Sequence, residues 1–297
     1  MLAGVDLGGS KIEAILLDGN GKALLRTRRP TPAGDYQATL ETIAGLHREL
    51  EAHAAQQLPL GIGTPGSRSP ATGLMRNANS TCLNGRDLQA DLEALLDRPV
   101  RMANDADCFT LSEAVDGAGR DAAMVFGVII GTGTGGGIAV NGRLLGGPNA
   151  VTGEWGHNPL PWARDDELPG PACWCGKDGC IETFLSGPGL AAEHLRRTGQ
   201  ALPGPDIVAA AAGGDAEAET TLARYEDRLA RGLASIINVL DPDVIILGGG
   251  LSGITRLYET VPRLWKEYVF SDVCTTALRP PAHGDSSGVR GAAWLWR

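Results

Sequence analysis

The segment "GTGTGGG", residues 131–137, constrains the fold of this chain more than any other. It holds a G-x-G-x-x-G match at Gly131, Gly133 and Gly136. A dinucleotide-binding fold needs a helix directly after that loop. Here "GIAVNGRLL" follows, and it reads as a hairpin. A dinucleotide fold is therefore rejected, and the loop reads as a phosphate-holding hairpin. Its counterpart is "GVDLGGSK" at 4–11, where an acid ends a strand and two glycines make the next turn. Glycine lets backbone N–H groups approach a phosphate and tolerates positive φ. Lys11, Ser10 and the turn amides suit phosphate, and Asp6 suits a metal ion or its water shell. No Walker A motif and no protein-kinase signature is present.

The rest of the chain repeats one order of elements around these two turns. Strands at "LAGVDL", "KIEAILLD" and "KALLRTRR" are followed by a helix over 35–53 and a buried strand at 58–63. A helix at 87–97, the strand "PVRMA" and the helix "ADCFTLSEAV" complete the first set. The second set has strands at "AMVFGVIIG", "GGIAVNG" and near 143–146, then a long helix over 216–240. The strand "DVIILGGG", a helix over 255–268, the strand "CTTALR" and a closing helix "DSSGVRGAAWLW" follow. The expected architecture is two α/β domains with a cleft between them. The first spans 1–118, with the closing helix 285–297 packed on it. The second spans 119–284 and carries an insertion at 148–215 rich in Gly, Pro, Trp and Cys.

Composition narrows the function. A net charge of −9 and a pI of about 5.1 argue against a nucleic-acid surface, which needs a basic stripe. The longest apolar runs, such as "MVFGVII", are strand-sized, so no membrane span is expected. "MLAGVDLGGSK" lacks the basic start of a signal peptide, and the expected location is the cytoplasm. Reduced cytosolic thiols disfavour a disulfide reading of "CWCGKDGC" at 173–180, and C-x-C-x4-C is not the spacing of a redox pair. Cys82, Cys108 and Cys274 read as packing residues. His47, His53 and His194 lie among helical charges and are expected to be solvated, and His283 to cap the last helix.

The three glycine turns, with "ANDAD" at 103–107, "GEWGH" at 153–157, "CWCGKDGCIE" at 173–182 and "LGGG" at 247–250, resemble the ROK (repressor, open-reading-frame, kinase) family of the sugar kinase/actin ATPase superfamily. Within it, "NANSTCLNG", "GEWGHNPLPW" and "HGDSSGVRGAAWLW" look most like bacterial fructokinases that also accept mannose. The resemblance implies an α/β, two-domain actin-like (ribonuclease H-like) fold with an interdomain cleft. It implies ATP, Mg²⁺ and a structural Zn²⁺ as cofactors, a hexose as substrate and a homodimer. The chain begins directly in the phosphate strand, without the DNA-binding segment of family repressors, so an enzyme is expected.

Residue by residue, Asp105 matches the family's general base for phosphorylating a 6-hydroxyl, with D-fructose the expected acceptor. N-acetylglucosamine, N-acetylmannosamine or glucose are the alternative acceptors, and a sugar-sensing regulator is the rival of another class. Asp107 competes for the base on sequence alone, although an acid in a first helical turn commonly just opposes the dipole. Asn104, Glu154, His157 and Glu182 match sugar ligands. Gly4, Val5, Asp6, Leu7, Gly8, Gly9, Ser10 and Lys11 form the first nucleotide segment. Thr132, Gly133, Thr134, Gly135 and Gly136 form the second, with Gly249 beside an adenine. His157, Cys173, Cys175 and Cys180 make a Cys₃His set of the structural zinc type. His157 would serve both zinc and sugar.

Overall fold

The computed structural model describes residues 1–297, with the Asp285 side chain set aside. Strands β1 (Leu2–Leu7) and β2 (Lys11–Leu17) close the first glycine turn as an antiparallel hairpin, with Leu7 opposite Ile12. β2 continues into β3 (Ala23–Pro30) through a turn in which Gly21 has φ +84°. Helix α1 (Tyr36–Ala54) starts where Asp35 accepts the Ala38 N–H. Next come β4 (Leu60–Thr64), the short pair β5 (Ser67–Arg68) and β6 (Met75–Arg76), and α2 (Leu88–Leu96). β7 (Val100–Asn104) runs directly into α3 (Asp105–Val115). The sheet order is β3-β2-β1-β4-β7. Its core joins Val5, Leu7, Ile12, Leu16, Ile43, Leu46, Leu60 and Ile62.

The second set begins with β8 (Met124–Ile130), β9 (Thr134–Val140) and β10 (Arg143–Leu144). Three helices sit within the expected insertion: α4 (Ile181–Leu185), α5 (Gly187–Thr198) and α6 (Gly204–Ala212). The starts of α5 and α6 contain Gly and Pro, which suit a first helical turn because its N–H groups lack intrahelical partners. The long α7 (Ala216–Leu240) packs against α4, α5, α6 and α8 (Leu257–Leu264). β11 (Val244–Gly248), β12 (Ala277–Arg279) and α9 (Ser287–Trp294) complete the chain. The second sheet has the order β10-β9-β8-β11-β12. No described helix is long and apolar enough to cross a membrane.

The chain forms two compact units. One contains Met1–Asp121, Gly137–Thr152 and Ala282–Arg297, and the other Ala122–Gly136 and Gly153–Pro281. In the first, α9 lies on β1 and α3 because glycines let backbones meet. A Cβ on Gly4 would fall 2.6 Å from the Val289 carbonyl, and one on Gly291 would overlap the Cys108 carbonyl. Glu113, fully buried on α3, holds the segment entering α9. It accepts the Ala282 N–H at 3.0 Å and the Ser287 hydroxyl at 2.8 Å. In the second, the Glu167 carboxylate is buried between Arg228 and Arg231 of α7, each at 2.8 Å. Burial pushes Glu167 up, but hydrogen bonds from Arg231, the Arg164 amide and Arg228 prevail and bring it to about 2.

His47 and His194 are not solvated. His47 is buried with Nε2 3.0 Å from the Leu58 carbonyl, and His194 is buried with Nδ1 3.0 Å from the Thr221 hydroxyl. Both lie on inward helix faces, while Arg48 and Glu49 beside the first and Arg196 and Arg197 beside the second are exposed. His53 is exposed.

Candidate active site and metal centre

In the first unit the residues of 4–11 divide between packing and surface. Val5 and Leu7 point into the core and Gly4 packs on α9, while Gly9 and Ser10 are exposed. The Gly8 amide donates to the Lys11 carbonyl, and the Thr31 hydroxyl donates to the Gly8 carbonyl. Asp6 stands opposite Glu13 across the hairpin, and Glu13 stands opposite Arg28 on β3. Glu13 is buried and contacts three cations: Arg26, Lys11 at 3.5 Å and Arg28 at 3.5 Å. Burial, then the charges of Asp105 and Glu13, push the Asp6 carboxyl up to about 7, against the pull of Lys11. The Asp6 carboxylate, with Asp105 near it, is the oxygen donor here that suits a divalent cation.

Asp105 is the first residue of α3, and Asn104 is its N-cap. The Asn104 side-chain oxygen accepts the Asp107 N–H at 2.6 Å, so only its amide group is left to donate elsewhere. Asp105 Oδ1 accepts the Ala106 N–H at 2.9 Å. Asp105 keeps a solvent-exposed face, yet the protein packed around its other sides removes water and raises its carboxyl above the usual carboxylate range. Hydrogen bonds from the Ala106 amide and its own amide oppose that rise. Water on the open face offsets part of it as well.

In the second unit, β8 and β11 run parallel with Ile129 beside Gly248, so the turns that leave them are neighbours. A Cβ on Gly131 would lie 3.9 Å from the Gly249 Cα. Gly249 has φ +81°, a conformation that favours glycine. Glu182, on α4, reaches the 131–136 turn. Its Oε2 accepts the Thr134 N–H at 2.9 Å, and a Cβ on Gly133 would sit 2.7 Å from that oxygen. Two residues expected to serve different ligands, Glu182 for sugar and Thr134 for phosphate, are therefore in direct contact. Sequence reasoning missed this because 48 positions separate them.

Trp155 anchors the "GEWGH" segment. Its indole donates to the Gly135 carbonyl at 3.0 Å, and its ring meets Phe126 edge-on at 5.9 Å. Glu154 is exposed and His157 half-buried. The structure brings His157, Cys173, Cys175 and Cys180 together, with one ligand atom from each within 4.8 Å of all the others. His157 Nδ1 lies 3.6 Å from Cys173 Sγ, and the sulfurs of Cys175 and Cys180 are 3.6 Å apart. A tetrahedral ion with bonds of about 2.3 Å to sulfur separates its ligands by roughly 3.8 Å. The four groups therefore fit one metal ion. Antiparallel bridges Pro159↔Cys180 and Ala172↔Asp178 fold the loop around them. Cys173 and Cys180 are buried, and burial pushes the Cys180 thiol up to about 12, so a cation is needed to hold the thiolate.

Comparison with known proteins agrees with this arrangement. The ROK family model matches residues 2–297. The N-acetyl-D-glucosamine kinase of Yersinia enterocolitica serotype O:8 is 38% identical over 99% of both chains. That of Vibrio vulnificus strain YJ016 is 39% identical, again over 99% of both. Among solved structures, the ROK hexokinase of Thermus thermophilus has a TM-score of 0.88 at 30% identity, covering 99% of this chain and 96% of that one. A ROK glucokinase from Streptomyces griseus, solved with glucose and AMPPNP, has a TM-score of 0.77 at 25% identity, over 99% and 98%. The fold is that of the actin-like, ribonuclease H-like ATPases.

The expected kinship with fructokinases that accept mannose is corrected by these relatives, which are N-acetyl-D-glucosamine kinases. The segments behind that expectation serve the scaffold. "GEWGHNPLPW" carries the Trp155 anchor and a metal-cluster histidine, and "HGDSSGVRGAAWLW" carries the glycines that seat α9. Frame residues of this kind do not distinguish one sugar from another. From residue 2 to its last residue, the chain belongs to the ROK family.

Proposed function

We propose that this chain phosphorylates N-acetyl-D-glucosamine at its 6-hydroxyl with ATP as donor. It is an ATP-dependent sugar kinase, and the acetamido sugar is supported by relatives 38–39% identical over 99% of their length that carry that activity. The observation that carries the chemistry is Asp105. It is an accessible carboxylate at the N-terminus of α3, beside Asp6. ATP with Mg²⁺ supplies the transferable phosphoryl group and neutralises charge on it.

Asp105 accepts the proton of the attacking hydroxyl. A carboxyl raised above the ordinary range is a stronger base than a free Asp, which titrates near ~3.9. Asp6 sits where the phosphate-bound cation is expected, and Lys11 and the Gly8–Ser10 turn hold phosphate. Asn104 in the first unit, and Glu154, His157 and Glu182 in the second, are the residues we assign to sugar hydroxyls. Zinc is the metal we assign to the Cys₃His cluster, where it cross-links a loop with few bulky aliphatics. His157 gives Nδ1 to the cluster, which leaves Nε2 for a hydroxyl.

An ADP-release assay over N-acetylglucosamine, N-acetylmannosamine, glucose, fructose and mannose tests the reading. The expected result is the highest kcat/KM with N-acetylglucosamine. A preference for glucose would support that alternative acceptor and overturn the acetamido assignment.

A further inference from the structure

Trp174 lies between two cysteines of the metal cluster, and its side chain is 67% exposed. A single exposed aromatic residue needs no explanation in general. This one is held by both its ring and its polar atom. The ring meets His157 edge-on, with centroids 4.8 Å apart and planes at 89°. The indole N–H donates to Glu182 Oε1 at 2.7 Å. The other oxygen of that carboxylate accepts the Thr134 N–H at 2.9 Å. Glu182 is thus gripped from two sides, by the loop that carries the cysteines and by the glycine turn.

The backbone around Trp174 has little freedom once an ion binds. Cys173 and Cys175 flank it directly, and the Gly176 N–H donates to the Cys173 carbonyl at 3.0 Å, while the Cys173 N–H donates to the Lys177 carbonyl at 2.8 Å. Two ligands to one ion on either side of a residue fix its Cα, and so the reach of its indole. Partners one step outside a metal's ligands tune the ligands and their surroundings in this way. A carboxylate with an N–H donor on each oxygen takes one orientation.

We propose that Trp174 is a positioning residue. Its indole N–H fixes the Glu182 carboxylate, and through Glu182 the metal-binding loop sets the strength of sugar binding. The proposal rests on Glu182 being a sugar ligand, as assigned above. Metal occupancy then has a second consequence besides holding the loop together. Chain that folds without metal would bind sugar weakly.

Trp174→Phe keeps a ring against His157 and removes the donor. Its expected signature is a rise of about tenfold in KM for the sugar, with kcat within twofold, KM for ATP unchanged and one metal per chain retained. Loss of uniform binding gives this split, whereas general loosening of the fold lowers kcat as well. The second arm needs no sugar. In a ¹H–¹⁵N spectrum the chain has six tryptophans, and the indole resonance missing from Trp174→Phe identifies Trp174. That resonance should move in Glu182→Gln and when a chelator strips the metal from the wild-type chain. A sugar KM within twofold of wild type in Trp174→Phe, or an indole signal indifferent to both Glu182→Gln and metal removal, overturns the proposal. If the wild-type chain turns over no hexose, the assay counts against the kinase reading, and the indole signal alone decides whether the metal loop holds Glu182.

Discussion

The turn at Gly8-Gly9 closes a hairpin that carries Asp6 and Glu13, with Asp105 close enough to raise Asp6, whereas the turn at 131–136 meets one carboxylate, already hydrogen-bonded on both oxygens. Both turns are glycine-rich, and both read as phosphate hairpins in the sequence. Their electrostatics differ. The first pairs Glu13 with three cations and leaves Asp6 beside Asp105, where burial and like charge raise its carboxyl. The second is organised by neutral N–H donors that orient Glu182. Glycine patterns therefore report only how closely something can approach a backbone. What approaches is decided by side chains that arrive from elsewhere in the chain.

The largest expected effect on this contrast comes from the metal centre. Cys180→Ser removes one of four ligands and should weaken metal binding by more than the ~10–100-fold typical of losing an outer partner. Elemental analysis should fall from one metal per chain to a small fraction. Full metal content in a folded variant would remove the metal from the account of the second turn.

Next comes Glu13, the buried carboxylate of the first turn. Glu13→Gln leaves Lys11, Arg26 and Arg28 without their shared partner. Breaking a buried pair costs about 3–5 kcal/mol, but these cations reach water, so about 2 kcal/mol is expected from denaturant unfolding. No loss at all would show that the row Asp6, Glu13, Arg28 is incidental to the first turn.

The pH dependence sharpens the assignment of the base. Burial raises Asp105, and the base works only when ionised. The acid limb of kcat/KM should therefore fall about tenfold per pH unit, with a midpoint above ~3.9. A midpoint at or below that value would contradict the environment described for Asp105.

The smallest effect lies at the segment entering α9. His283 Nε2 is 3.1 Å from Asp116 Oδ1, and this hydrogen bond raises His283 against the effect of burial. A raised histidine stabilises the fold fully below its unfolded value of about 6.5, and the contribution is lost as pH rises through the folded value. His283→Gln should cost up to about 1 kcal/mol at pH 5.5 and nothing at pH 9. A cost independent of pH would mean that packing, not charge, is lost.

Much of this could be read from the sequence because it was local. The C-x-C-x4-C run and a preceding histidine come together as a candidate metal cluster, "ANDAD" is a strand passing into a helix, and 216–240 is the long helix α7. What was not legible depended on long-range contact. The grip of Trp174 and Thr134 on Glu182 joins segments 8 and 48 positions away. Glu113 holds residues about 170 positions later. The buried histidines His47 and His194 looked solvated because charge in the sequence says nothing of which helix face carries it. The expected kinship with fructokinases was overturned for a related reason: it drew on Trp155 and the α9 glycines, which build the frame.

The central claim is that Asp105 of the first unit performs the chemistry while sugar binding rests on other residues. Steady-state kinetics of Asp105→Asn and Asp107→Asn, with sugar affinity measured separately by calorimetry, tests it most directly. Asp105→Asn keeps the shape but cannot take the proton, so kcat should fall about 10²–10⁴-fold, roughly 3–5 kcal/mol, with sugar affinity nearly unchanged. Asp107→Asn should cost little. An active Asp105→Asn enzyme beside an inactive Asp107→Asn enzyme would show that the base is the other acid of α3.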